Sequence, residues 1–341
     1  MILPVDLLDS DAIAFDAQYR NGLSNHLPMA LIALARLGAS PTRIAEFRAK
    51  YISRLEPAPT TASSLARAEL PEHLGTHRAY APLANMFRAL VATTAPHDVV
   101  RDALPELVPG LAGGAFHGLI RLAYAVGTPD VPAVEVAAAL AYMADVHLAV
   151  GEGSNGESRA LSSILDDAAS DTNATSYSGK NGLIFDDLAD VASRAPYTHL
   201  LDAASTGPRT VEEAARSALS IYASTGNFTA LHCVTAAHAL RVLSPFIADV
   251  ENASNVLARA IVTAYITISA PKLSTSEHLD RMRRLKTPGW DEIAAAACAS
   301  DNEHVIKIAW TARDEHTAYG DPLYAFVAAR ATGLIPKDSR G

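Results

Sequence analysis

Cysteine is nearly absent: Cys233 and Cys298 are the two in the chain. A disulfide framework and a thiolate zinc site are both excluded by that number, which leaves reduced, buried thiols in a cytoplasm as the expectation. Basic charge is also scarce. With 28 Lys and Arg against 37 Asp and Glu, the formal charge is −9, and no basic stripe is present to neutralise phosphates, so a nucleic-acid partner is not expected. Apolar runs stop short of the ~18 residues that a membrane span needs. The opening Met1-Ile-Leu-Pro-Val-Asp6 has neither the basic region nor the long apolar region of a signal peptide. Charged residues make up only 19% of the chain, while hydrophobic ones reach 49%. Disorder is therefore excluded, and a core-rich chain is expected, large enough for one big core.

What is abundant is alanine in short runs, such as Ala137–Ala141 and Ala294–Ala297, which favours helix over strand. No strand-like alternation extends beyond a few residues, and no repeat period emerges. The expected fold class is all-α: a single multi-helix domain over 1–341, with any metal site buried between helices. Helices are predicted at about 29–37 (closed by Gly38), 41–55, 78–94, 97–107, 111–126 and 131–150. A second group is predicted at 183–192, 195–205, 210–223, 228–243, 248–269, 289–299, 301–318 and 321–333. Proline in first turns and glycine after last turns mark several of their ends. Residues before about 24 read as a short lead, 56–75 as a loop with a short helix, and 270–287 as an exposed connector. The stretch 151–181 is dense in Gly, Ser, Asn and Asp. It reads as a long surface segment with one short helix near 158–169, of a length common for lids and binding loops. Its Gly179-Lys180 lacks the glycine spacing and the following Ser/Thr of a P-loop.

Chemistry-bearing residues centre on 301–313. Asp301 is the expected N-cap of an amphipathic helix, and Glu303 suits the positive end of its dipole. His304 and Lys307 are three apart and share one face. Of the twelve histidines, His73, His77, His97, His199, His278 and His316 sit in polar or loop-like surroundings, while His147 lies near a helix C-terminus. His73 and His77 have a zinc-like spacing, but Gly75 between them argues against it. His26, His117 and His232 each lie in or at an apolar helical run. A buried imidazole needs partners for its ring nitrogens, so these three are either core histidines bonded to carbonyls or, with His304, convergent ligands of one ion inside a bundle. His238, six residues and about 240° from His232, does not suit the same ion.

Four pieces in order resemble the questin oxidase family: His26-Leu-Pro-Met-Ala-Leu-Ile-Ala-Leu34, Phe116-His-Gly-Leu-Ile-Arg-Leu-Ala-Tyr124, Leu231-His-Cys-Val-Thr235 and Asp301-Asn-Glu-His-Val-Ile-Lys307. With the helices between them, the resemblance covers about 20–335. Fungal relatives are associated with oxidative opening of anthraquinone-type polyketides, by Baeyer–Villiger or ring-cleaving oxygenation. The family includes non-haem iron oxygenases whose metal is held by histidines and an N-carboxylated lysine. The resemblance therefore implies His26, His117, His232 and His304 as imidazole ligands, Lys307 as the carboxylated lysine, and Fe(II) with dioxygen and a small aromatic substrate. Arg121, one turn after His117, and Tyr124 are the candidate catalytic side chains. For Arg121, pairing with an acidic substrate or with Asp145 or another core carboxylate is open. No Glu-x-x-His pair supports a di-iron carboxylate bundle. No Gly-x-Gly-x-x-Gly turn supports a Rossmann site for NADPH or FAD, so if NADPH is the reductant its docking place is not indicated. The alternatives are a metal-free NADPH-dependent Baeyer–Villiger enzyme, a zinc hydrolase, and a non-catalytic helical ligand-binding protein.

Overall fold

The computed structural model describes residues 3–151, 159–179 and 182–336. Nineteen helices and one two-stranded hairpin form its elements among these residues. The chain opens with α1 (Val5–Ala14), a hairpin of β1 (Gln18–Tyr19) and β2 (Leu23–Ser24), then α2 (Leu27–Leu37) and α3 (Pro41–Tyr51). After a long loop come α4 (Leu70–His73), α5 (Tyr80–Val91), α6 (Pro96–Leu107), α7 (His117–Val126) and α8 (Ala133–Asp145). Shorter pieces follow: α9 (Leu161–Ser170), α10 (Thr172–Thr175), α11 (Ile184–Ala192) and α12 (Thr198–Ala204). Three long helices come next, α13 (Val211–Thr225), α14 (Phe228–Leu243) and α15 (Val250–Thr267). The chain closes with α16 (Ser276–Arg284), α17 (Trp290–Ala299), α18 (Glu303–Tyr319) and α19 (Leu323–Ala331). The all-α expectation holds.

Local chemistry explains the boundaries. Ser40, Thr210, Asn227, Asp249 and Thr275 each accept a first-turn N–H and start a helix, while Gly38, Gly226 and Gly320 end helices in the left-handed conformation. The cap of α18 is not Asp301 but Asn302, whose side-chain oxygen accepts from His304 and Val305. Asp301 instead pairs with Arg43 and Lys50 of α3. The lead is also more ordered than its sequence suggests. Leu8 and Ala12 of α1 are buried, and its buried Asp11 takes both Nε and Nη2 of Arg48. The connector 270–287 contains α16, which buries Leu279 and Met282 while its arginines stay outside. The predicted helix 131–150 stops at Asp145. Of the segment 151–181, the described part forms α9 and α10, and α9 buries Leu161, Ile164, Leu165 and Ala168. The rest of that expected lid lies outside the described residues.

A contiguous hydrophobic core runs through the bundle. Alanine at so many buried positions of α8 and α14 lets backbones approach closely. At the α7–α8 crossing this becomes a requirement: a Cβ on Gly118 would sit 2.7 Å from the Met143 Cα. Four helices form a closed ring in this bundle: α2 packs on α7, α7 on α14, α14 on α18 and α18 back on α2. No helix among the described residues is long and apolar enough to cross a membrane.

Candidate metal centre

Each helix of that ring contributes its first turn to one point. His26 is the N-cap of α2, His117 the first residue of α7, His232 the fifth of α14 and His304 the second of α18. One ligating nitrogen from each of the four lies within 4.8 Å of all the others. His26 Nε2 and His117 Nε2 are 2.7 Å apart, and the His232 and His304 ring centroids 5.3 Å apart. Lys307, one turn further along α18, is fully buried.

The inner nitrogens of these rings are fixed by the chain itself. His117 Nδ1 lies 2.5 Å from the Gly114 carbonyl and His232 Nδ1 2.8 Å from that of Phe228. A carbonyl only accepts, so both Nδ1 atoms carry the proton and both Nε2 atoms present a lone pair. Tyr51 receives the His26 backbone N–H at 3.1 Å, and its hydroxyl lies 3.5 Å from His26 Nδ1. Glu303 lies 3.9 Å from His304 Nδ1. On the inward side, His232 Nε2, His304 Nε2 and Lys307 Nζ are buried and have no hydrogen-bond partner. Orphaned groups of this kind are rare in folded proteins, because each costs about 1–3 kcal/mol.

Electrostatics keeps the four imidazoles neutral. Burial, then the facing Lys307, pushes His232 down to about 3, and burial likewise holds His26, His117 and His304 well below the ordinary imidazole range. Burial pushes the Lys307 ammonium down to about 7, with Glu303 pulling the other way. The N-terminal parts of four helices surround this point, which disfavours a protonated Lys307 and favours an anionic oxygen in its place. Four neutral imidazoles and an amine that loses its proton easily form a nitrogen-rich set suited to a first-row divalent metal, and no cysteine is in the cluster. The residues fit such an ion.

The approach to His117 is backbone under strain. Gly114, Ala115 and Phe116 have φ of 55°, 55° and 69°, a left-handed run that costs about 1–3 kcal/mol per non-glycine residue and persists only where surroundings enforce it. Gly113 supplies the enforcement: a Cβ there would lie 1.8 Å from the Val146 oxygen, so the turn is pressed against the end of α8. The predicted helix 111–126 therefore begins only at His117, with the turn aiming the imidazole inward.

In front of the histidines opens a cavity of about 330 Å³, lined by all four of them together with Tyr19, Leu23, Phe185, Phe228 and Glu303. Phe228 is 51% exposed, with its ring 4.7 Å from His232 and 4.6 Å from His304. Leu183 and Phe185, which follow the 151–181 segment, reach the cavity; the described residues 159–179 do not line it.

The structure thus brings together His26, His117, His232 and His304, with Lys307 behind them, but not Arg121 and Tyr124. Arg121 is buried in a two-bond ion pair with Glu135, both contacts at 2.7 Å. The core carboxylate is therefore Glu135 rather than Asp145, and a guanidinium held this way has no freedom to receive a substrate. Tyr124 faces a separate cavity of about 80 Å³ shared with His238 and Asp314. Rise along the helix accounts for both: Arg121 and Tyr124 share the His117 face but lie about 6 and 10 Å further along the axis, deep in the bundle. Sequence reasoning missed Tyr51, Phe228 and the pocket role of Glu303. The signal for Glu303 was its place beside His304; for Tyr51 and Phe228 there was none.

The questin oxidase-like family profile matches residues 23–312, most of the chain. The protein belongs to that family. Membership puts its activity among oxidoreductases that act on small molecules of secondary metabolism. No curated protein matches the chain.

Proposed function

We propose that this questin oxidase-like protein is a non-haem iron oxygenase that inserts oxygen into, or cleaves, a carbon–carbon bond of a polycyclic aromatic, polyketide-type molecule. His26, His117, His232 and His304 would hold Fe(II) through their inward nitrogens. Lys307 would join as its carbamate, formed when the neutral amine adds carbon dioxide and releases one proton. The observation that carries this reading is the convergence of four buried imidazoles on one point, with His232 Nε2 and His304 Nε2 unpartnered and an unpartnered Lys307 Nζ near enough to depress the pKa of all four. A carbamate supplies an anionic oxygen where the chain has only a lysine, and four helix N-termini favour that negative charge. Bound iron would supply the electron chemistry that lets dioxygen react with an organic ring.

The chain's own residues do the rest. The Gly114 and Phe228 carbonyls hold His117 and His232 in one tautomer and orientation. Phe228, Phe185 and Leu23 give the cavity apolar walls for a flat ring system and displace water from it. Oxygen uptake tests the reading, with iron-reconstituted protein, a polycyclic phenol and no nicotinamide. Uptake that requires iron and is lost in His117→Ala is expected. Turnover by metal-free protein tied to NADPH oxidation would replace it with the metal-free Baeyer–Villiger reading.

A further inference from the structure

The cavity before the histidines has one fixed charge. Among its described lining residues Glu303 alone is a carboxylate, and none is Lys or Arg. Glu303 is only 9% exposed, held at the first position of α18 where the helix N-terminus favours its charge. Its carboxylate lies 3.5 Å from Arg54, which stacks on Tyr51 and is itself 35% exposed. Arg54 does not line the cavity, so it tempers the charge from behind. The other polar groups of the described lining are uncharged: the four imidazoles, the Tyr19 phenol and Ser24, whose hydroxyl is engaged 2.5 Å from that of Tyr142.

A carboxylate in an apolar pocket discriminates in two ways. It accepts a charge-assisted hydrogen bond from a hydroxyl or N–H of a ligand. It also repels a ligand carboxylate, which would have to shed water beside a like charge that Arg54 compensates only from behind. We infer that Glu303 sets the charge selectivity of this cavity: it anchors a hydroxyl-bearing, uncharged aromatic ligand and excludes anionic ones. The inference rests on the reading of this cavity as the substrate pocket and is framed for the metal-free protein, since a divalent ion on the lining histidines would itself attract a carboxylate.

The test is calorimetric titration of the metal-free protein with three probes sharing one flat core: 2-naphthol, 2-methoxynaphthalene and 2-naphthoate. Wild-type protein is expected to prefer the naphthol over its methyl ether by about tenfold, the usual worth of a hydrogen bond to a charged group, and to bind the naphthoate weakest. In Glu303→Gln the naphthol preference should shrink and the naphthoate gain about tenfold. In Arg54→Met, which exposes the cavity to the full charge, the naphthoate should weaken further. This second variant moves selectivity the opposite way, so a general loss of folding cannot imitate the pair. The same rank order and ratios in wild type and Glu303→Gln would overturn the role of Glu303 while leaving the pocket intact. Failure of all three probes to bind wild type would overturn the substrate pocket and this inference together. Loss of the iron reading alone would leave these titrations unchanged.

Discussion

The two helices α14 and α18 carry two histidine clusters, and the contrast between them is informative. At their N-terminal ends lie His232, His304 and Lys307, without a carboxylate among the converging atoms and with three nitrogens left unbonded. Two turns on, His238 sits 3.0 Å from Asp314, while Arg241 binds Asp314 and reaches Glu315 at 2.6 Å. The second cluster also has the residue types of a metal site. It already contains its cation: although burial raises Asp314, His238 and Arg241 bring its carboxyl down to about 2. Unpartnered atoms occur in both clusters, since His238 Nδ1 and Glu315 Oε2 of the second also lack partners, so the difference lies in charge. The second cluster contains both a cation and carboxylates and is matched internally, whereas no anion is among the converging atoms of the first.

Three changes would break or sharpen that contrast. The largest effect is expected from Lys307→Met. Partners outside a ligand set already cost about 10–100-fold in metal affinity, so this variant should bind iron at least ~100-fold more weakly by competition with a chelator. Metal-free stability should stay level or rise, because a buried amine without a partner is removed. Arg241→Met should do the reverse. Iron content stays at the wild-type level, and chemical denaturation reveals a loss of about 2 kcal/mol, discounted from a fully buried pair because Arg241 is 28% exposed.

The most gradual effect, smallest per pH unit, is in pH dependence. A base whose folded pKa is depressed binds fewer protons folded than unfolded, so stability rises with pH between the two values. For the metal-free protein the His232 window runs from about 3 to 6.5 and the Lys307 window from about 7 to 10.5. Each group changes the folded-to-unfolded ratio by at most about tenfold per pH unit there. Asp314, an acid with a depressed pKa, contributes stability above 3.8 that is lost as pH falls through about 2. Denaturation across pH should therefore lose its alkaline rise in Lys307→Met and keep it in Arg241→Met.

Much of this was legible in the sequence, and for physical reasons. Helix periodicity, capping residues and alanine content gave nearly every long helix, because those signals are local. The four histidines and Lys307 were legible as a set only through their resemblance to a family; from spacing alone, core histidines remained an open reading. What favours the ligand reading is the convergence of the four rings on one point, a property of the packed structure. The lead helix α1 was missed because its apolar residues are spread round the helix instead of forming one stripe, and α16 because only Leu279 and Met282 in it are apolar; the burial of both comes from neighbours distant in sequence. Arg121 was misplaced for a related reason: its partner Glu135 is fourteen residues away on α8, and nothing local specifies which of two core carboxylates it meets. The strained turn at 114–116 left only Gly113-Gly114 as a trace.

The most direct measurement is the metal content of protein purified under low oxygen, wild type beside Lys307→Met. About one iron per chain in the wild type, and little in the variant, is the result expected of four imidazoles and a carbamate around one ion. Wild-type protein that stays metal-free after growth and reconstitution with iron would contradict the account, and would leave the four histidines as the packed ends of four helices.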